Sequence, residues 1–335
     1  MNIQVNKISA TLLAILFMIN FMLFNADYCK ADDGSWQTNI APHTYWQGYN
    51  NSDTHNNSIN IGAYLNSEYL DSDKLTIGIY NTNISLINNA QLSENIFHLS
   101  GQHNIYLDDI PGKLTLRLDT YFGQSVLKYN IATPPGTVGA GGMGKSGKAT
   151  GGGSATIKET ANMSSFQPQF TYSNLAKTFY ANIGYAYSKY TGNSTTEVKQ
   201  FTPTIAFSWN DSYDWLQLRS YQIEVNDTAS TYSKNKFESV EAKYTHWIKD
   251  NTLKNIEFMR FSILMGERIL AVDSDARVIY SSADMQKGSV EASTQWKISK
   301  TEKILALVNY SHYANQISLD DYNSALLYIN YQNQW

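Results

Sequence analysis

Thiol chemistry is almost missing from this chain of 335 residues, whose one cysteine, Cys29, sits close to the N-terminus. Disulfides and thiolate metal sites are thereby excluded as sources of stability, which leaves packing and backbone pairing. After residue 31 no apolar run approaches the length of about 18 residues that a membrane-spanning helix requires. Proline is scarce, with six residues, so long extended segments go largely uninterrupted. Neither charge sign dominates: the formal net charge is −4, and no basic run offers a footprint for nucleic acid. The histidines His43, His55, His98, His103, His246 and His312 form no H-E-x-x-H motif and no metal-site spacing, so neither a metal nor another cofactor is expected.

One motif invites a false lead. Gly139 to Ser146, "GAGGMGKS", matches the phosphate-loop pattern G-x-x-x-x-G-K-[ST]. That pattern binds phosphate only where a strand enters the loop and a helix starts at its Lys-Ser. Here Gly147 and the triplet Gly151 to Gly153 follow, each opposing helix by about 1 kcal/mol. A nucleotide site is not expected.

The N-terminus carries Lys7, an apolar run from Ile8 to Phe24, and small residues before Asp32. That order is the pattern of a secretory signal peptide, expected to span residues 1–31 with cleavage after Ala31. Tyr28 before Cys29 is a poor fit to a lipoprotein site. Removal of residues 1–31, with Lys7, Lys30 and Asp27, would leave a net charge of −5 and no cysteine.

What the chain has in abundance is tyrosine: 24, against 13 Phe and 7 Trp. It also alternates. In "SINIGAYLNSEYL" Ile59, Ile61, Ala63 and Leu65 share one face, and Asn60, Gly62, Tyr64 and Asn66 the other. "KLTIGIY", "KLTLRLDTYFG", "FQPQFTY", "FYANIGYAY" and "FTPTIAFSW" repeat the period of two, the strand signature. Soluble sandwich strands also alternate, but cluster near 5–6 residues. Most segments here run to about ten, the length a tilted strand needs to cross a bilayer.

Short turns at 71–73, 108–112, 173–177, 210–214, 249–254 and 299–303 alternate with longer connections near 47–57, 88–94, 130–164, 191–197, 227–235, 269–287 and 314–321. The expectation is an all-β fold: one antiparallel up-and-down barrel over 32–335 with about fourteen strands, twelve or sixteen being the neighbouring counts. Region 254–298 is read as two long strands extended beyond the bilayer, with "DSD" at 273–275 as their turn, in preference to the alternative of an extra hairpin.

The chain ends "ALLYINYQNQW", with Tyr331, Ile329, Leu327 and Ala325 on the face of Trp335. This resembles the closing strand of bacterial outer-membrane β-barrels, apart from Asn333. The resemblance implies insertion into outer-membrane lipid, with Tyr331 and Trp335 as an assembly signal for the barrel assembly machinery. With apolar rows outward, the lumen would be lined by Tyr64, Tyr80, Arg117, Asp119, Glu241, Lys243, Arg260, Glu291 and Lys297, among others. A barrel of this size encloses water unless plugged.

The Gly-rich connection at 130–164 is the third and longest, the position at which general porins fold a loop inward. By that similarity Lys145 and Lys148 would line a constriction and favour anions. The function expected is a porin-like channel for passive diffusion of small hydrophilic solutes, acting by size and lumen charge, with Arg117, Arg260, Lys243 and Lys297 facing Asp119, Glu241 and Glu291 to set a transverse field. The alternative is an uptake barrel for hydrophobic compounds resembling the fatty-acid transporter family. That family carries an N-terminal plug, whereas strand one here is expected near Trp36; an adhesion or structural barrel ranks lower. An enzyme is not expected, because His98 and Ser100 in "FHLSG" lack an identified carboxylate partner.

Overall fold

The computed structural model describes residues 36–70, 72–107, 111–132, 154–229, 234–249, 255–280, 284–315 and 319–334. Ala31, Lys145, Lys148 and Trp335 lie outside the described residues, as does most of the Gly-rich segment. Sixteen strands are described: β1 (Trp36–Asn50), β2 (His55–Tyr69), β3 (Asp73–Leu86), β4 (Gln91–Leu107), β5 (Gly112–Ala132), β6 (Ser154–Asn174), β7 (Phe179–Thr191), β8 (Thr195–Trp209), β9 (Asp214–Asp227), β10 (Lys236–Trp247), β11 (Ile256–Arg268), β12 (Val272–Asp273), β13 (Val278–Ile279), β14 (Asp284–Lys297), β15 (Glu302–Asn315) and β16 (Asp321–Gln334). Fourteen of them form a closed barrel in which β1 pairs antiparallel with β16, while β12 and β13 pair separately.

Closure follows from the medium. An unpaired backbone group in hydrocarbon costs several kcal/mol, so strands with apolar outer rows are stable there only as a ring. The expected rows hold: Ile59, Ile61 and Leu65 are exposed on the outside, whereas Asn60 and Tyr64 are buried inside. Similarly Phe166 and Phe170 face out, and Gln167 and Gln169 face in. In water this belt would far exceed the exposed apolar patches that soluble proteins tolerate.

Partway along the wall the two faces exchange character. On β9, Leu216 and Leu218 face out at one end, but the same row continues as Gln222 and Glu224. The inner row changes in the opposite sense, from Gln217 and Arg219 to Ile223 and Val225, with 2% and 3% exposure. On β8 and β10, Val198 and Phe237 join them inside. Beyond this level the barrel is built like a soluble protein, with a dry interior and a polar exterior. The lumen is therefore not uniformly polar, as expected from alternation alone.

Two further corrections concern connections. Strands β5 and β6 each run 21 residues, so part of the expected loop at 130–164 is strand at both ends, and the connection narrows to 133–153. Residues 269–280 are not an extension of β11 and β14. They turn into the barrel as the small β12–β13 hairpin, with its turn at Ser274–Arg277.

The exchange of faces makes a same-row test. Leu218→Lys is expected to destabilise the barrel by about 2–4 kcal/mol, the cost of a lipid-facing lysine near the midplane. Gln222→Lys, four residues along the same row, should stay within about 0.5 kcal/mol. Denaturant titration of the folded protein in phospholipid vesicles measures both.

Candidate functional site: the hairpin and the cavity beside it

The hairpin enters the lumen because the ladder breaks at Gly266. Its φ of +99° suits glycine alone, and an added Cβ would stand 2.5 Å from the Glu238 carbonyl oxygen. The β11–β14 register shifts between Met265 and Arg268, a bulge that re-aims the chain. Apolar residues then supply the seat. Ile269, Leu270 and Ala271 pack with Ile223, Val225 and Phe237 of the upper wall, and Val272 and Ile279 pack with Tyr80, Ile96 and Tyr121.

Hydrogen bonds fix the register of that packing. Gln200 Nε2 donates to the Val272 carbonyl oxygen at 2.7 Å, and its Oε1 accepts from Val272 N at 3.0 Å. The Tyr190 hydroxyl donates to the carbonyl oxygen of Tyr280 at 3.1 Å. Within the hairpin Asp273 Oδ1 accepts from the amides of Asp275 and Ala276, closing the turn.

The charges come in compensating sets. Arg219 lies 2.9 Å from Asp275 and 3.6 Å from Asp273, and Lys243 lies 2.9 Å from Asp275. Arg268 reaches Asp273 at 3.5 Å, and Glu241 stands 3.7–3.8 Å from Lys243 and Arg219. Burial alone would raise the Asp273 carboxyl, but the Arg219 and Arg268 guanidiniums outweigh it and hold the group below the usual carboxylate range.

Arg117 contacts both oxygens of Asp119 at 2.8 Å and donates to the Ser274 carbonyl oxygen at 3.0 Å. Asp119 also accepts from Gln169 Nε2 at 2.7 Å and pairs with His98 Nε2 at 3.0 Å. His98 thus has the carboxylate partner that its sequence neighbourhood did not reveal, because Asp119 lies on the adjacent strand. Ser100 faces Asp119 across the ladder. The other ring nitrogen, His98 Nδ1, is buried without a hydrogen-bond partner, and Tyr121 stacks on the ring at 4.6 Å. This side of the lumen is a sealed wall.

The opposite side stays open. Between the hairpin and the wall formed by β1–β3, β10, β11 and β14–β16 lies a cavity of about 580 Å³. Tyr64, Tyr80, Glu241, Lys243, Arg260 and Glu291 line it, as do Tyr45, Tyr328, Leu305, Leu307 and Leu326. Two glycines allow aromatic rings to lie flat here. A Cβ at Gly62 would stand 2.6 Å from His43 Cε1, and one at Gly78 would stand 2.4 Å from Tyr64 Cδ1. His43 and Tyr64 accordingly stack at 4.9 Å with planes 17° apart.

Of the expected lumen residues, Arg117 and Asp119 pair with each other behind the hairpin and do not face opposite charges across open water. Lys243 holds the hairpin from the cavity side through Asp275, and Glu241 lies beside Lys243 on the same strand. Arg260 donates from Nε to Thr245 Oγ1 at 3.0 Å, and Lys297 is exposed at the end of β14. Tyr331 donates to Glu302 on the neighbouring strand at 2.6 Å. The inward leucines were not anticipated. Their signal is a local loss of alternation, since "ILALV" at 304–308 and "ALLYI" at 325–329 are apolar on both faces.

This geometry bears comparison with known proteins. No family model matches the chain, and no curated protein matches it. Among solved structures, the crystal structure of the Pseudomonas putida toluene transporter TodX matches with a TM-score of 0.50 at 11% identity, covering 90% of each chain. A Pseudomonas aeruginosa FadL homologue matches at 0.48 and 9% identity, covering 90% of each chain. The CymD monoaromatic hydrocarbon channel matches at 0.47 and 8%, covering 91% of this chain and 90% of that one. The fold is that of the outer-membrane β-barrels.

The docking contacts generate two tests. Arg219→Ala should weaken hairpin docking by about 1–3 kcal/mol, because it removes one of the two cations that each of Asp273 and Asp275 contacts. Hydrogen exchange at the Val272 and Tyr280 amides would report it. The Asp273 contribution is present above the unfolded carboxylate value of about 4 and is lost as pH falls through its lower folded value. A spin label at Ala276→Cys in a Cys29→Ser background should therefore be immobilised at neutral pH and gain mobility only well below pH 4.

Proposed function

We propose that the protein is a bacterial outer-membrane channel for the uptake of small aromatic or weakly polar molecules. The observation that carries this reading is the inward hairpin, which replaces a wide aqueous bore with a cavity of about 580 Å³ walled by tyrosine and leucine. That volume falls within the range of about 300–1,000 Å³ typical of small-molecule sites. Leu305, Leu307 and Leu326 offer apolar surface inside the lumen, which a pore for sugars or ions has no use for. TodX, described as a toluene transporter, shares the fold; that likeness supports the reading without extending beyond architecture.

Export by residues 1–31, assembly through Tyr331 and Trp335, and residence in outer-membrane lipid belong to the same proposal. The channel works by selective contact in the lumen and calls for neither a chemical step nor a cofactor.

Planar-bilayer recording tests it. The wild-type protein should give small conductance steps, and replacing 270–280 with a short Gly-Ser linker should raise them several-fold. Large steps that ignore the replacement, together with sugar permeation in liposome swelling, would return the protein to the class of hydrophilic diffusion porins.

A further inference from the structure

Most cations around the hairpin and its cavity have a carboxylate partner, and two do not. Arg117 is paired with Asp119, and Arg219, Lys243 and Arg268 share Asp273, Asp275 and Glu241. On the facing wall Arg260 has no carboxylate within 4 Å among the described residues; its Nε donates to Thr245 Oγ1, and Glu291 lies one diagonal step away across β11 and β14. Arg277, at the end of the hairpin turn, has no carboxylate within 4 Å among the described residues.

Arg277 is nevertheless firmly placed. Its Nη1 donates to Asn66 Oδ1 at 2.6 Å, its guanidinium lies 5.2 Å from the centroid of the Tyr64 ring, and its own carbonyl oxygen accepts from the Tyr64 hydroxyl at 3.2 Å. Its φ of +56° is a conformation in which a glycine or asparagine would be more at ease. A long cationic side chain thus occupies a position that backbone preference alone would not give it. A guanidinium offers five N–H donors in a planar fork suited to a carboxylate, and the contacts named above use one.

The surface next to it is aromatic and apolar. Tyr64 stacks with His43, and His43 lies 5.8 Å from Tyr328. By strand register Tyr328 is flanked by Tyr45 on β1 and Leu307 on β15, with Leu326 two positions away on the same inner row. Arg277 and all of these residues, His43 included, line one continuous space.

We propose that this cavity binds a small aromatic carboxylate, with Arg277 gripping the carboxylate and the Tyr64–Tyr328 side receiving the ring. The inference rests on the reading of the barrel as a channel for small aromatic molecules and adds the charge of the cargo. Holding a half-buried guanidinium beside a ring without an anion leaves its charge uncompensated, and an arriving carboxylate supplies the missing partner. Neutral aromatics would gain the ring contacts only.

Isothermal titration of the full chain in non-ionic detergent provides the test, with benzoate, benzyl alcohol and acetate as probes. Benzoate should bind at least about tenfold more tightly than benzyl alcohol, a difference of one salt-bridge-sized increment, and acetate should bind weakest. Arg277→Gln, which keeps a donor for Asn66, should abolish the preference for benzoate while leaving benzyl alcohol affinity unchanged. Arg277→Lys should retain part of it. Heat-modifiable migration on gels verifies that each variant is folded. Equal or tighter binding of benzyl alcohol by the wild type would overturn the carboxylate assignment while sparing the aromatic channel. Preference for benzoate that survives Arg277→Gln would overturn the role of Arg277. Binding of neither aromatic would overturn the channel reading along with the inference.

Discussion

In a hydrocarbon medium every backbone N–H and C=O must find a partner on a neighbouring strand, and the pairing of β1 with β16 is what leaves no strand of the ring without one. The remaining features are consequences of that closure. A closed ring has an inside, alternation assigns half of each strand to it, and fourteen strands enclose more space than their own side chains fill. The space has to hold water, cargo or a piece of the chain. This barrel uses a piece of the chain for one side and leaves the other side as a cavity.

The hairpin shows how a polar lumen can be filled without leaving charges stranded. Its aspartates are set against Arg219, Lys243 and Arg268, its backbone against Gln200 and Tyr190, and its apolar residues against the upper wall. Each component alone would be weak or costly, since buried ion pairs return little beyond their desolvation. Together they specify one docked position. That position decides which wall is sealed and which faces the cavity, so the shape of the open part of the lumen is set by residues far apart in the chain.

Much of the barrel was legible in the sequence because period two is a local property. Ile59, Ile61 and Leu65 announce an outer row within seven residues, and the strand count follows from turns of a few residues each. The inward docking of the hairpin was not legible. Asp273 and Asp275 read as an ordinary tight turn, and nothing near them in sequence points to Arg219 or Gln200, more than fifty residues away. The Gly-rich segment drew attention for its length and its lysines, while the inward segment was the less conspicuous "RILAVDSDARVIY". The exchange of inner and outer character on β9 was visible in "QLRSYQIEV", where Ile223 and Val225 fall on the row of Arg219. Leu216 and Leu218 assign the outer row at one end only, because the apolar face does not run the whole strand. The candidate site was half legible: Tyr64, Tyr80, Glu241, Lys243, Arg260 and Glu291 do line the cavity, but Arg277 and the inward leucines depend on where the hairpin docks.

The long β5–β6 arm carries a separate implication. β7 begins to pair with β6 only at Asn162, so residues 154–161 have β5 as their sole partner among the described residues and present one bare flank of amides and carbonyls. Such a flank is a template for recruiting a stray strand from another molecule. Lys158 and Glu159 place opposite charges on its two faces, so a strand joining there would have to accommodate both. In a crowded membrane, where neighbouring barrels diffuse in contact, that pair of side chains acts against adhesion between copies.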